Sequence, residues 1–477
     1  MKSHYTQIIH PYMRILSDDQ IEAIHLAGCE ILEHTGSKIF NKKAQELLHG
    51  FGAHIGPNNI VRIPSWLVND AIRKAPERIV MCNRDGRRYM FLEGHNYYFG
   101  CNPDEPDYLD PYTGKRRPFT SKDGRDMARV VDYTDNIDFV LTAGFCADVD
   151  AKVADRVIIR EMILNQRKVI GFSCKDADAL LDIMEMASIV AGGHEELRMN
   201  PYLFHIQESI TPLVHDDNSI KELMICAEKN FPIVYYPMPM AGTTAPTTFA
   251  GVLALNLAET LTGLVIHQLT KPGAPIILGG VPSIMDMRTT RYAYGAPELH
   301  LQCSALSEII HHYKIPFWGT AGCVETATVD EQAAAEISIS CLMAALSGAN
   351  LVHDTGLMDQ ATVTCPEVLL LADEIQDLIK HIMKGIGVNE ETLALDVIHK
   401  VGQGGNFLAE DHTLKHFRSF WNPRLFSRTV MQPGESGPSL SERLNKKAKE
   451  VIETHEVPPL AEDKRKALLQ LEKKWLG

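Results

Sequence analysis

Several short apolar runs in this 477-residue chain end in side chains able to hold or activate a small molecule. Tyr97, Tyr98 and Phe99 close one run, His205, Gln207 and Glu208 another, and Tyr235 with Tyr236 a third. Phe317, Trp318 and Thr320 end a further run, as do His353 and Asp354. Aromatic faces converging on one opening attract a quaternary ammonium ion, by about 0.5–2 kcal/mol per well-placed ring. Strand residues alternate between two faces, so Tyr235 and Tyr236 cannot both line the opening. Tyr98, Tyr235 and Trp318 are the rings assigned to it, with Trp318, beside the Gly319–Gly322 turn, the leading one. His205, Gln207, His353 and Arg288 complete the binding set; His353 or Arg288 suits a carboxylate, and pairing with Asp286 is the alternative role for Arg288. Glu208, Glu325 and Asp354 are candidate acids or bases. His205, His353, Cys101, Cys174 and Cys323 are zinc-type donors, but zinc needs three or four meeting tetrahedrally, and no spacing gathers them. No metal is expected. Neither a Gly-x-Ser-x-Gly elbow nor a Ser/His/Asp set stands out by spacing.

These residues need a scaffold, and the chain repeats one. Runs rich in β-branched or aromatic residues occur at 96–100, 138–145, 168–173, 202–209, 232–238, 275–280, 315–320 and 350–356. Amphipathic or apolar stretches between them, such as Ser121–Asp132, Ala177–Val190, Pro246–Leu269, Pro297–His312 and Asp330–Leu346, have helical spacing, and several begin with Ser, Asp or Pro. Strand-helix alternation with near-continuously apolar strands predicts a parallel sheet covered on both faces. Eight units predict an α/β fold closed into a (β/α)8 TIM barrel, with an open doubly wound sheet as the rival; no strand-to-helix turn carries a dinucleotide or P-loop glycine signature. The expected organisation is a mainly helical N-terminal cap over 1–95, a catalytic barrel over 96–390 and a helical C-terminal extension over 391–477. The charged tail from Leu440 reads as a solvated helical appendage or an oligomer contact, so a homo-oligomer is expected.

Sixty-one acidic against 47 basic residues give a net charge of -14, which argues against nucleic acid as a partner. The ten cysteines are scattered without a Cys-x-x-Cys pair, which predicts reduced thiols and a cytoplasmic protein. The amino-terminal stretch MKSHYTQIIHPYMRIL lacks the form of a signal peptide. Phe249–Leu269, the longest apolar region, is interrupted by Asn256, Glu259 and His267 and reads as a buried helix, so no membrane span is expected.

Four separated motifs, YLDPYTGKRRP (108–118), MDMRTTRYAYGAPE (285–298), WGTAGCVETATVDEQAAAE (318–336) and GQGGNFLAEDHTLKHFR (402–418), resemble the trimethylamine methyltransferase family. The resemblance runs from about Ile15 to Ala461. It implies a barrel that passes a methyl group from an amine to cob(I)alamin carried by a separate corrinoid protein, with no cofactor tightly bound to this chain. The trimethylamine enzymes carry pyrrolysine within the equivalent of WGTAGCVETATVDEQ, where this chain has ordinary residues. The resemblance is therefore to the non-pyrrolysine branch, which implies a quaternary amine as substrate, glycine betaine first, giving dimethylglycine. It also implies that Gly280, Gly319, Gly322 and Glu325 face the corrinoid. A zinc-dependent barrel methyltransferase or decarboxylase, and a non-catalytic betaine-binding protein, are the alternative readings.

Overall fold

The computed structural model describes residues 10–430, 432 and 436–476; residues 1–9 of the amino-terminal stretch discussed above and Gly477 of the tail lie outside the described residues. Eight parallel strands close a barrel: β1 (Tyr98–Cys101), β2 (Ile137–Val140), β3 (Val169–Phe172), β4 (Leu203–Glu208), β5 (Ile233–Tyr236), β6 (Ile276–Gly279), β7 (Phe317–Thr320) and β8 (Leu351–Thr355). Each is followed by a covering helix: α1 (Ser121–Tyr133), α2 (Ala154–Asn165), α3 (Ala177–Ala191), α4 (Asp217–Lys229), α5 (Phe249–Thr270), α6 (Pro297–His312), α7 (Glu331–Ser347) and α8 (Pro366–Met383). The seam closes where Leu351 and Val352 of β8 pair with Tyr98 and Phe99 of β1. The barrel is closed, as expected, and the open-sheet alternative falls.

Local chemistry explains the units. The strands VIGF, IVYY and IILG are buried throughout, because helices cover one face and the barrel core the other. Asp330 caps α7 by accepting the Ala333 N–H, and Gly348 ends that helix at φ +72°. Inside, Phe204 packs 5.8 Å from both Phe139 and Trp318, ring centre to ring centre. Those rings fit because the neighbouring inward positions are glycines: a Cβ on Gly100 would collide with Phe139, and one on Gly171 with Leu141 and Phe204.

The helices Asp18–Glu30 and Ser65–Lys74 of the amino-terminal region pack on α5. Covered by them and by the barrel, α5 is apolar nearly all round and buried along its length, as its sequence suggested. A small sheet joins Ser37–Ile39 to Ile60–Arg62 and to Val214–His215 from the β4–α4 connection.

The charged tail is not a solvated appendage. Its helix Leu440–Thr454 buries Leu444, Ala448, Val451 and Ile452, a stripe at helical spacing, against α8 and α1. The following helix, Glu462–Leu476, lies on α3. The exposed stretch comes earlier, where the short helices Glu390–Leu393, Leu395–Val401 and Asp411–His416 bury no residue.

Candidate active site at the barrel mouth

Side-chain parity along each strand decides which candidates reach the mouth at the strands' carboxyl ends. In β4, Phe204 packs inside on Trp318, so Ile206 and Glu208 share the inner face while His205 and Gln207 face the helices. His205 Nε2 lies 2.8 Å from Glu222 of α4, its Nδ1 lies 3.1 Å from the Phe172 carbonyl, and Gln207 donates to the same Glu222 carboxylate. Neither residue faces the mouth. Tyr235 is also turned outward, with its hydroxyl 2.6 Å from His215 Nδ1 and its ring stacked on that imidazole. Its neighbour Tyr236 takes the inner position, 6.1 Å from the rings of both Trp318 and His353.

Trp318 and His353 are brought together, stacked with centroids 4.0 Å apart. His353 donates through Nδ1 to the Gly319 carbonyl at 2.8 Å, and its Nε2 is 3.3 Å from Asp354. Burial holds the imidazole below its ordinary pKa, against the opposing pull of Asp354. Trp318 is fully enclosed, and its indole N–H has no hydrogen-bond partner.

The remaining assigned residues stand elsewhere. Tyr98 lies at the opposite, amino end of the barrel, accepting the Phe91 N–H at 2.9 Å beside a cavity of about 700 Å³ lined also by Tyr97, Asp138 and Lys380. The Arg288 side chain is exposed; its link to Asp286 runs through its backbone N–H, 3.0 Å from the carboxylate, and not through the guanidinium. Gly280 and Gly319 face the helix layer, where a Cβ would strike Asn256 and Leu306 in one case and Phe317 in the other. Gly322 packs on Thr355, and Glu325 braces the preceding loop by accepting the Gly295 N–H at 2.9 Å.

What the barrel gathers at its mouth is a set of carboxylates among rings. Asp104 accepts from Thr142 and, at 2.8 Å, from Ser173. Glu105 accepts from Asn102, Glu208 from the Tyr236 hydroxyl, and Asp354 from Thr320 at 2.5 Å. Tyr292 and Tyr294, on the loop after β6, pair with ring centres 4.6 Å apart. Burial raises the Tyr294 phenol pKa strongly, and the charges of Asp354, Glu208 and Glu105 add to it; the Tyr294 carbonyl lies 3.7 Å from the Cys323 thiol, in the loop after β7. Burial also lifts the carboxyls of Asp104, Glu105 and Glu208, Glu105 most, with Asp354 adding to the last two. Glu208 is crowded by the barrel wall yet exposed, so its carboxylate is both desolvated and reachable.

Backbone strain surrounds the same groups. Asp104, Ala143 and Asp354 have φ of +47°, +58° and +79°. A bulge in the β8–β1 pairing falls between Val352 and Thr355, and it turns Asp354 inward beside His353 where alternation alone would send it out.

Sequence reasoning missed Asp104, Glu105, Tyr292 and Tyr294 because they lie beyond the strands, in loops whose paths periodicity does not reveal. Glu208, Tyr236 and Asp354 were in view as residue types but not assigned to binding.

One group of metal-type donors exists among the described residues: atoms of Cys174, His205 and Glu222 lie within 4.8 Å of one another. It sits between the sheet and α4. The Glu222 carboxylate there already accepts from His205, Gln207 and, at 2.8 Å, Asn218.

Comparison with known proteins places this geometry. The family model described as trimethylamine methyltransferase (MTTB) matches residues 1–474. The chain is 31% identical over 450 residues to the trimethylamine methyltransferase MttB of Desulfitobacterium hafniense strain DCB-2, covering 94% of this chain and 90% of the relative. It is 30% identical over 425 residues to the glycine betaine methyltransferase of strain Y51 of the same species, covering 88% of each. Among solved structures, the monomethylamine methyltransferase MtmB of Methanosarcina barkeri superposes with a TM-score of 0.53 at 14% identity, covering 98% of this chain and 88% of that one, and it shares the fold.

Proposed function

Because this chain belongs to the trimethylamine methyltransferase family and is a methyltransferase, we propose that it moves a methyl group from a quaternary amine to the Co(I) corrinoid of a separate protein. The observation carrying this reading is the barrel mouth, where Tyr236, Tyr292 and Tyr294 stand with Asp104, Glu105, Glu208 and Asp354. Rings and carboxylates together hold an alkylammonium head. The corrinoid supplies the nucleophile. A quaternary nitrogen departs as a neutral tertiary amine, taking the electron pair of the broken C–N bond, so no proton donor is required. Ordinary residues throughout Trp318–Gln332 support a quaternary over a tertiary substrate. The protein's work is placement: the site fixes the head so that one N-methyl faces the opening, and effective concentration supplies the rate.

A corrinoid protein must dock over that opening. Phe145, Ile210 and Met287, each more than half exposed on the loops after β2, β4 and β6, give its rim an apolar character suited to transient contact. Glycine betaine, the substrate expected from the sequence and named in one relative, is a member of the proposed class. The zinc-dependent alternative loses support, since the Cys174–His205–Glu222 group is separated from the mouth by the sheet. The reading further places the protein in the cytoplasm as a homo-oligomer. The test is direct: purified protein, a quaternary amine and reduced corrinoid, with methyl transfer followed by the corrinoid's spectral change. Transfer with at least one quaternary amine is expected; none with any would defeat the proposal.

A further inference from the structure

The charge of the mouth says more about the substrate than its shape does. Each of the four carboxylates takes its close hydrogen bonds from uncharged groups: Asp104 from Thr142 and Ser173, Glu105 from Asn102, Glu208 from Tyr236, and Asp354 from Thr320. Among the described residues no lysine or arginine forms an ion pair with any of them; their one basic partner is His353, beside Asp354. Elsewhere on the same face the acids are compensated, as where Arg117 bridges Asp110 and Asp123 or Arg116 joins Asp107 to Asp359. The mouth thus holds carboxylates in a confined space without a resident cation. Uncompensated charge of this kind is costly unless protons or a bound cation neutralise it.

Among the described residues, cationic groups free to receive a substrate carboxylate are correspondingly lacking at the mouth, which leaves neutral donors such as the Tyr294 hydroxyl. His353 spends its Nδ1–H on the Gly319 carbonyl, and its other nitrogen faces Asp354. The unpartnered Trp318 N–H is fully enclosed. Arg288 is exposed on its loop, and Arg291 reaches outward to Gln360 at 2.9 Å. The carboxylate of a betaine lies only a few bonds from its ammonium, so seating the head among these acids would bring like charges together.

We infer that the substrate is a quaternary ammonium monocation without a carboxylate, its remaining substituent being neutral and, where polar, a hydrogen-bond donor such as a hydroxyl. The inference rests on the proposed methyl transfer and narrows its substrate class. An alcohol arm can donate to Glu208 or Asp354, whereas a carboxylate arm can only accept. Raised carboxyl pKa values at Asp104, Glu105 and Glu208 agree with a site that is over-charged until its ligand arrives.

The experiment compares tetramethylammonium, choline and glycine betaine with the full-length protein, by calorimetric binding and by methyl transfer to reduced corrinoid. Choline and tetramethylammonium are expected to bind at least about tenfold tighter than glycine betaine, a difference of about 1.4 kcal/mol, and to be demethylated with correspondingly higher kcat/KM. Glu208→Gln should narrow that ratio by weakening the monocations more than betaine, with its folded state checked by its melting temperature. If glycine betaine binds and reacts as well as or better than choline, the inference is overturned while the methyltransferase reading stands. If none of the three is bound or demethylated, the inference fails, and the methyltransferase reading falls only if every other quaternary amine fails as well. An unchanged ratio in Glu208→Gln would also count against the charge argument.

Discussion

Asp354 stands at φ +79°, a conformation that costs a residue with a Cβ about 1–3 kcal/mol and that persists where function over-determines it. Asp104 shares this strain, and both belong to the group that includes Glu105 and Glu208. The raised carboxyls have a sign that can be worked through. A carboxyl whose pKa lies above its ordinary value is protonated over more of the acid range, and a cation binds its ionised form. Cation and proton therefore compete, so binding should tighten as pH rises above the ordinary carboxylate range, where these carboxyls ionise, and release protons. The groups facing the site include Tyr236, Tyr294, Cys323, His353 and Asp354, and the Tyr236, Tyr294 and Cys323 protons are held more tightly than usual by burial, while burial lowers the pKa of His353. The raised carboxyls are thus the groups whose ionisation the bound cation favours. Calorimetry of tetramethylammonium binding in two buffers of different ionisation enthalpy measures the release; a flat pH profile without protons released would refute engaged carboxylates. The same shift bears on folding. Glu105 takes up protons on folding, so its contribution is neutral below its unfolded pKa of about 4.3 and becomes a penalty as pH rises towards the folded value. Glu105→Gln should raise the melting temperature at pH about 8, lose that advantage near pH about 4, and bind the cation more weakly.

At the scale of the element, the strands were legible and their facing was not. Runs such as PIVYYPM and PIILGG announce strands because β-branched and aromatic residues are bounded by proline and glycine, and each became one. In a barrel both faces are buried, so the polar-apolar alternation that would orient a half-exposed strand is missing. Hence sequence reasoning assigns Tyr235 to the mouth in place of Tyr236, and His205 and Gln207 with it, until Phe204 packing on Trp318 sets the parity of β4. A bulge then brought Asp354 inward, which periodicity does not encode. His205 is instead a fastening between β4 and α4 through Glu222, with both residues fully buried. Removing one partner of such a pair costs roughly 3–5 kcal/mol. His205→Ala should therefore lower the unfolding free energy by that amount, read from denaturant melts, while the surviving folded fraction keeps its KM. Tyr236→Phe should do the reverse, preserving stability and raising KM several-fold, since it removes the hydroxyl that holds Glu208. If His205→Ala were stable and changed KM, the parity argument would fail. Metal analysis of the purified chain is expected to give less than stoichiometric zinc, because hydrogen bonds already occupy the Glu222 carboxylate.

For the whole molecule, the question is what covers the stretch between α8 and the helix Leu440–Thr454. It is held at both ends, by α8 on one side and on the other by Trp421, whose indole donates to Asp377 at 2.9 Å, and Arg424, paired with Asp373 at 2.7 Å. Between these anchors Ile386, Leu393, Leu395, Leu408, Leu414 and Phe420 are exposed, Ile386 by 81% and Leu408 by 77%. Its helices, of four, seven and six residues, are too short to persist without a surface to pack on. With at most about 200 Å² for a fully exposed large side chain, the six expose apolar area on the order of 700 Å², above the ~300–600 Å² of the largest patch on a typical monomer and close to the ~800 Å² per partner of a standard interface. That area fits the homo-oligomer proposed above, with a second copy of the same stretch or of the barrel flank as the cover. Light scattering on the purified protein at micromolar concentration should therefore give at least twice the chain mass. The combined substitution Leu408→Asp, Leu414→Asp and Phe420→Asp should yield monomer with an intact barrel, because none of these side chains is buried in the chain itself and their loss leaves the core packed. A wild-type protein that remains monomeric at that concentration, or a triple variant that still self-associates, would show that the cover is something other than a second copy.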